Sequence, residues 1–138
     1  MRSRSRDSMD AMERTDVQAW LDRYVDAWQT YDRDAIADLF SEDATYRYRP
    51  YGGADRMTQG RDAIVAAWLD DQDAPGSWQA SYEAYAVDGD RAVATGTSRY
   101  AATGDAPERT YHNVFLLRFS SDGRCAEFTD YYMLEARA

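Results

Sequence analysis

The carboxy-terminal stretch constrains this chain most. From Glu108 to Glu135 it holds two long runs joined by Ser121-Asp122-Gly123. Asp-Gly supplies the positive φ of a tight hairpin, so the runs read as paired strands, Arg109–Ser120 and Arg124–Leu134. Two more runs precede them, Trp78–Val87 and Arg91–Ala101, joined through Asp88-Gly89-Asp90 and followed by the turn-rich segment Thr103–Pro107. Four strands with short connections of this kind predict an antiparallel meander. Such a sheet must cover an apolar face, and the covering material has to come from the first half of the chain.

That half supplies helices. Val17, Trp20, Leu21, Tyr24, Val25 and Trp28 recur at helical spacing and predict a helix over Asp16–Thr30, capped by Thr15 or Asp16. A short helix is expected over Arg33–Phe40, ended by Ser41-Glu42-Asp43, and then a strand over Ala44–Arg49. Pro50–Gly60 reads as a loop around Gly52-Gly53. Ile64, Val65, Trp68 and Leu69 predict a third helix over Arg61–Asp71, broken at Asp73-Ala-Pro-Gly76. Helices at the start and strands at the end indicate an α+β fold. One curled sheet with three helices across it leaves a conical hollow. Residues 1–14 are polar and aperiodic and are expected to be a disordered leader, with one domain over 15–138.

Composition narrows the function classes. Of the 138 residues 14% are aromatic, and the 11 Tyr and 4 Trp suit a cavity lined by amphipathic rings as well as a plain core. The net charge of -9 argues against nucleic acid and against anionic membranes as partners. All 16 basic residues are Arg, which a GC-rich genome or adaptation to high salt would each explain. Cys125 is the sole cysteine, so no internal disulfide forms. The chain lacks metal-ligand spacing, a phosphate loop and a long apolar run. No metal or cofactor is expected, and a cytoplasmic location is.

Strand parity picks out candidate site residues. Residues two apart share a face, which puts Asp130 between Phe128 and Tyr132. A carboxylate on an aromatic face is costly unless it has a partner or a task. Asn113 shares its face with Tyr111, Phe115 and Leu117. His112, the only histidine, falls on the opposite face with Val114, Leu116 and Arg118.

Several phrases in this order resemble the nuclear-transport-factor-2-like superfamily, in its SnoaL-like branch. They are Ala27-Trp-Gln-Thr-Tyr-Asp32, Leu39-Phe-Ser-Glu-Asp-Ala-Thr-Tyr46, Gly60-Arg-Asp-Ala-Ile64, Tyr111-His-Asn-Val-Phe115 and Glu127-Phe-Thr-Asp-Tyr131. The resemblance covers about 16–135. It implies a cone-shaped barrel with one deep pocket, a small-molecule ligand and a homodimer formed through the sheet. Relatives include polyketide cyclases, ketosteroid isomerases and limonene epoxide hydrolases, so the fold alone does not fix the reaction.

Set against the epoxide-hydrolase-like pattern, Tyr46 keeps the Tyr position and Tyr48 replaces an Asn. Arg99 matches the Arg, Ala101 stands where an Asp is expected, and Asp130 matches the last-strand Asp. The missing carboxylate argues against epoxide opening. The resemblance leaves Asp130, Arg99 and Tyr46 as catalytic candidates. Tyr48, Asn113, Tyr111, Trp20, Tyr24, Trp68, Phe128 and Tyr132 are candidate ligand contacts, the helix-borne rings among them serving equally well as core. The leading expectation is a pocket for a small, mostly apolar molecule, with Asp130 as the base of a cofactor-free isomerase, cyclase or hydrolase. The alternative is a non-catalytic binder or homodimeric scaffold in which Arg99–Asp130 is a structural salt bridge.

Overall fold

The computed structural model describes residues 12–53 and 57–136. Three helices, α1 (Arg14–Thr30), α2 (Arg33–Leu39) and α3 (Arg61–Asp70), pack against six strands: β1 (Phe40–Arg47), β2 (Met57–Gln59), β3 (Trp78–Asp88), β4 (Arg91–Tyr100), β5 (Arg109–Phe119) and β6 (Cys125–Leu134). The strand order is β2-β1-β6-β5-β4-β3. The result is a cone-like α+β fold with helices on the concave side of the sheet.

The meander β3-β4-β5-β6 is antiparallel throughout, as the turn residues predict. The sheet as a whole is mixed, because β1 runs parallel to β6. Two strand expectations change. Phe40 opens β1 instead of closing the second helix, and its ring is fully buried. The loop expected over 50–60 contains the short edge strand β2, paired with Thr45–Arg47. Three residues without an apolar alternation carry too little pattern to announce a strand.

The first helix starts earlier than expected. Asp16 does not sit at its boundary; its carboxylate reaches back to accept the Glu13 N–H at 2.9 Å. The expected leader over 1–14 falls mostly outside the described residues. Met12 belongs to the fold, donating its N–H to the Gly89 carbonyl at 3.0 Å.

At the far edge of the sheet, β3 has backbone groups with no partner strand among the described residues. Polar residues of α1 satisfy them. Gln18 donates to the Tyr82 carbonyl at 3.0 Å and accepts from the Ala84 N–H at 2.9 Å, while Arg14 donates to the Ala84 carbonyl at 3.0 Å. The helix thereby covers an edge that would otherwise invite another strand.

The hairpin turn between β5 and β6 behaves as its sequence requires. Gly123 has φ 85°, and the Asp122 carboxylate accepts from the Arg124 backbone N–H at 3.0 Å and from its guanidinium at 2.9 Å. Hydrogen bonds from Ser120 and Arg124 hold the Asp122 carboxyl down at about 2.

The narrow end of the cone is solid. Trp20, Phe40, Phe115, Phe119 and Phe128 are all fully buried there, and the Trp20 indole donates to the Leu39 carbonyl at 3.0 Å. The wide end stays open.

Candidate functional site

Diagonal neighbours on the concave face build the site. Ser98 on β4 pairs with Tyr111, two residues from Asn113 on β5. Asn113 pairs with Tyr132, two residues from Asp130 on β6. Tyr46 on β1 pairs with Phe128, again two residues from Asp130. Because i and i+2 share a face, the sheet sets Ser98, Asn113, Asp130 and Tyr46 in one oblique row pointing into the cone.

The row ends in a cavity of about 500 Å³. Tyr24, Tyr46 and Tyr82 lie at its inner end, all three buried. The hydroxyls of Tyr24 and Tyr46 are 2.8 Å apart. Burial pushes both phenols well above their ordinary range, so both stay neutral donors. The pair carries two hydroxyl protons, and its mutual bond uses one. The other is available to an acceptor inside the cavity.

Asp130 faces the same space. Burial raises its carboxyl to about 6, and hydrogen bonds from the Asn113 amide partly oppose the rise, at 3.1 Å to one oxygen and 3.3 Å to the other. Its negative charge also helps to raise Tyr24, Tyr46, Tyr48, Tyr82 and Tyr100, which places it centrally among the phenols.

The mouth is aromatic and charged. Trp28 stacks on Trp78 at 3.6 Å between ring centroids and donates to Asp73 at 3.0 Å. The Asp73 backbone N–H in turn donates to the Tyr31 hydroxyl at 2.8 Å. The Arg109 guanidinium lies 4.8 Å from the Tyr100 ring centroid.

Of the residues singled out in the sequence, Asp130, Tyr46, Tyr48, Asn113, Tyr111, Tyr24, Trp68 and Tyr132 all line this cavity. Tyr48 and Tyr132 are about half exposed, at its rim. Trp20 and Phe128 do not line it; both are fully buried in the core, where Phe128 stacks on Tyr46 at 4.3 Å.

Arg99 is the main correction. It is exposed, one residue out of phase with the inward-facing Ser98. No Arg99–Asp130 salt bridge forms, whether catalytic or structural, because Arg99 is on the exposed outer face while Asp130 lines the cavity. His112 lies on the outer face, as its parity predicts, with Nε2 2.7 Å from Glu135.

Sequence reasoning missed Tyr82, Ser98 and Tyr100 as wall residues. A signal was present: Ala92, Ala94 and Gly96 are small residues in the same phase as Ser98 and Tyr100, the mark of a crowded inner face. Among the described residues no cluster of three or more His, Cys, Asp or Glu side chains is placed to hold a metal ion.

Fold and cavity together define a small α+β barrel with a ring-lined pocket. The chain belongs to the SnoaL-like domain family, whose model matches residues 21–128. Among solved structures it is similar to an NTF-2 like protein of unknown function from Burkholderia xenovorans LB400, with 18% identity, a TM-score of 0.66, and 92% of this chain and 90% of that one covered. It is also similar to a Kribbella flavida DSM 17836 protein provisionally assigned as a ketosteroid isomerase (22% identity, TM-score 0.62, 90% and 82% covered). A third is an M. tuberculosis LEH-like epoxide hydrolase (15% identity, TM-score 0.63, 86% and 84% covered). At these identities the likenesses establish the fold. No curated protein matches the chain. No helix among the described residues is long and apolar enough to cross a membrane.

Proposed function

We propose that this chain binds a small, mostly apolar carbonyl compound and moves a proton on it without a cofactor, as an isomerase or cyclase does. Asp130 is the proton acceptor. The substrate's C–H bond next to the carbonyl breaks, its electron pair shifts to the carbonyl oxygen, and the proton passes to Asp130. The free hydroxyl proton of the Tyr24–Tyr46 pair hydrogen-bonds the developing oxyanion. Return of the proton at another carbon completes an isomerisation; attack of the enolate carbon on a second carbonyl, whose oxygen takes the electron pair and then the proton from Asp130, completes a cyclisation.

One observation carries this reading. A carboxyl tuned to about 6 shares one cavity with a buried phenol pair that has a proton to spare. The likeness to the Kribbella protein agrees with it. The epoxide-hydrolase chemistry of the M. tuberculosis protein fits less well. The sequence pattern puts that chemistry's Arg and second carboxylate at Arg99 and Ala101, and both positions are exposed, away from the cavity.

The test needs no knowledge of the natural substrate. 2-Tetralone in D₂O exchanges its α-protons slowly, and proton NMR follows the loss. The wild-type protein is expected to accelerate exchange at least about tenfold over Asp130→Asn, a modest share of what a positioned base supplies. Equal rates would remove Asp130 as the base. Mass spectrometry of small molecules that co-purify with the protein identifies the ligand class directly.

A second reading has its own observation. Val114, Leu116, Tyr131 and Met133 are exposed on the outer face, Met133 at 73%. An apolar sheet exterior of this kind supports a homodimer, in which the chain serves as a binder or scaffold. The oligomeric state in solution and the exchange assay together separate the two readings.

A further inference from the structure

The oblique row on the concave face has a direction fixed by proton inventory. Asp130 as a carboxylate only accepts, so the side of the Asn113 amide that meets it must be the NH₂ group. The reverse orientation would press the amide oxygen against two acceptor oxygens. With the NH₂ group turned to Asp130, the amide oxygen faces Ser98, whose hydroxyl donates to it at 3.0 Å. Across this contact Ser98 can only donate, because the amide oxygen has no proton to give; the Ser98 hydroxyl also lies within hydrogen-bonding reach of Tyr82. Ser98 and Asn113 are both buried, at 4% and 6% exposure. Unpaired polar atoms at such depth are costly, so the two bonds hold each other in place.

We propose that Ser98 and Asn113 are positioning residues for Asp130: Ser98 locks the Asn113 amide, and the amide fixes the carboxylate as an oriented acceptor facing the cavity. Asn113, expected from the sequence to contact ligand, is on this account already committed to the protein. Both of its polar ends are taken, and the substrate meets Asp130 instead. The amide nitrogen lies within reach of both carboxylate oxygens, so it holds the plane of the group as well as its position.

The other groups facing Asp130 do not provide this restraint. Phenols approach it from α1 (Tyr24), β1 (Tyr46), β3 (Tyr82), β4 (Tyr100) and the segment after β1 (Tyr48). Tyr111 of β5 and Tyr132 of β6 complete the wall. The charged groups, Arg49, Arg109, Asp71 and Asp73, line the mouth. None bonds to the carboxylate. Removing the amide therefore leaves burial unopposed, and Asp130 would hold its proton closer to neutral pH.

The inference deepens the reading of Asp130 as proton acceptor and rests on it for its purpose. Its test reads the carboxyl itself, so the absence of any turnover leaves the result intact. In protein labelled with ¹³C at aspartate Cγ, the Asp130 resonance is identified by its loss in Asp130→Asn and followed against pH. In Asn113→Leu the midpoint is expected to rise by about one unit or more, and in Ser98→Ala by roughly half a unit. Ser98→Thr, which keeps the hydroxyl, should restore the wild-type midpoint. In the wild type the Asn113 side-chain NH₂ signals should move with the same midpoint as the Asp130 carbon.

A midpoint that does not move in Asn113→Leu, or NH₂ signals that ignore the titration, would overturn the proposal. A shift in Asn113→Leu with none in Ser98→Ala would remove Ser98 and with it the lock. If Asn113→Leu fails to fold, the Ser98 pair and the NH₂ signals decide alone.

Discussion

The hydroxyls of Tyr24 and Tyr46 meet 2.8 Å apart, one carried by the first helix and the other by the first strand, and both rings are buried. The contact joins the helical roof to the sheet at the inner end of the cavity, so it has both a structural and a chemical consequence. Removing one hydroxyl leaves the other buried without its partner. Tyr24→Phe or Tyr46→Phe alone should each cost about 1–3 kcal/mol in urea unfolding. The double substitution removes both groups together and should cost less than the sum. Strict additivity would show that the two hydroxyls do not interact.

Arg99 offers a clean contrast. It stands on the outer face and makes no ion pair with Asp130. Arg99→Ala should therefore change stability by no more than about 0.5 kcal/mol, the range of an ordinary surface substitution. A buried pair broken on one side would cost ~3–5 kcal/mol. Thermal unfolding separates the two values, and a large loss would restore the salt bridge.

The outcome for Arg99 shows which parts of this molecule were legible in the sequence. The helices around Trp20 and Trp68 and the four long strands carry strong periodicity, and they stand within a few residues of their expected bounds. The inward phase of β5 and β6 follows from Phe115, Leu117 and Phe128, whose bulk leaves no doubt about which face is buried. On β4 the inner face is made of Ala92, Ala94, Gly96 and Ser98. Their shared small size is a weaker signal than bulk, and a match to a family pattern placed Arg99 inside instead. The parallel pairing of β1 with β6 was not legible either, because it joins segments some eighty residues apart with nothing local to record it.

Gly96 is the other consequence of that crowded face. A Cβ at this position would lie 2.0 Å from the Ser81 carbonyl oxygen and 2.8 Å from the Tyr82 Cα. Both are backbone atoms of the neighbouring strand and cannot swing aside. Gly96→Ala should destabilise the protein by at least about 2 kcal/mol, toward the upper end of overpacking costs. It should also disturb the near-ultraviolet signal of Tyr82, which sits directly opposite. A variant with wild-type stability would mean that β3 and β4 do not approach this closely.

The Asp130 carboxyl links the chemistry of the cavity to the stability of the fold, and the sign can be worked out. Its folded value of about 6 lies above the ordinary 3.8. Between these values the native protein holds a proton that the unfolded chain has released. Stability must then fall as pH rises from about 4 to about 6 and stay reduced above that, by on the order of 3 kcal/mol. Asp130→Asn keeps the shape and removes the titration. Other carboxyls titrate in both proteins, Asp122 among them at about 2, so the informative quantity is the difference between the two unfolding free energies. Near pH 4 the variant should match or fall slightly below the wild type, having exchanged a neutral acid for a neutral amide. By pH 7.5 it should be the more stable by about 2–3 kcal/mol, the wild type's loss over this range less the variant's small deficit at pH 4. A difference that stays flat across this range would mean that the carboxyl titrates at its ordinary value, and a base tuned toward neutrality would have to be sought elsewhere in the cavity.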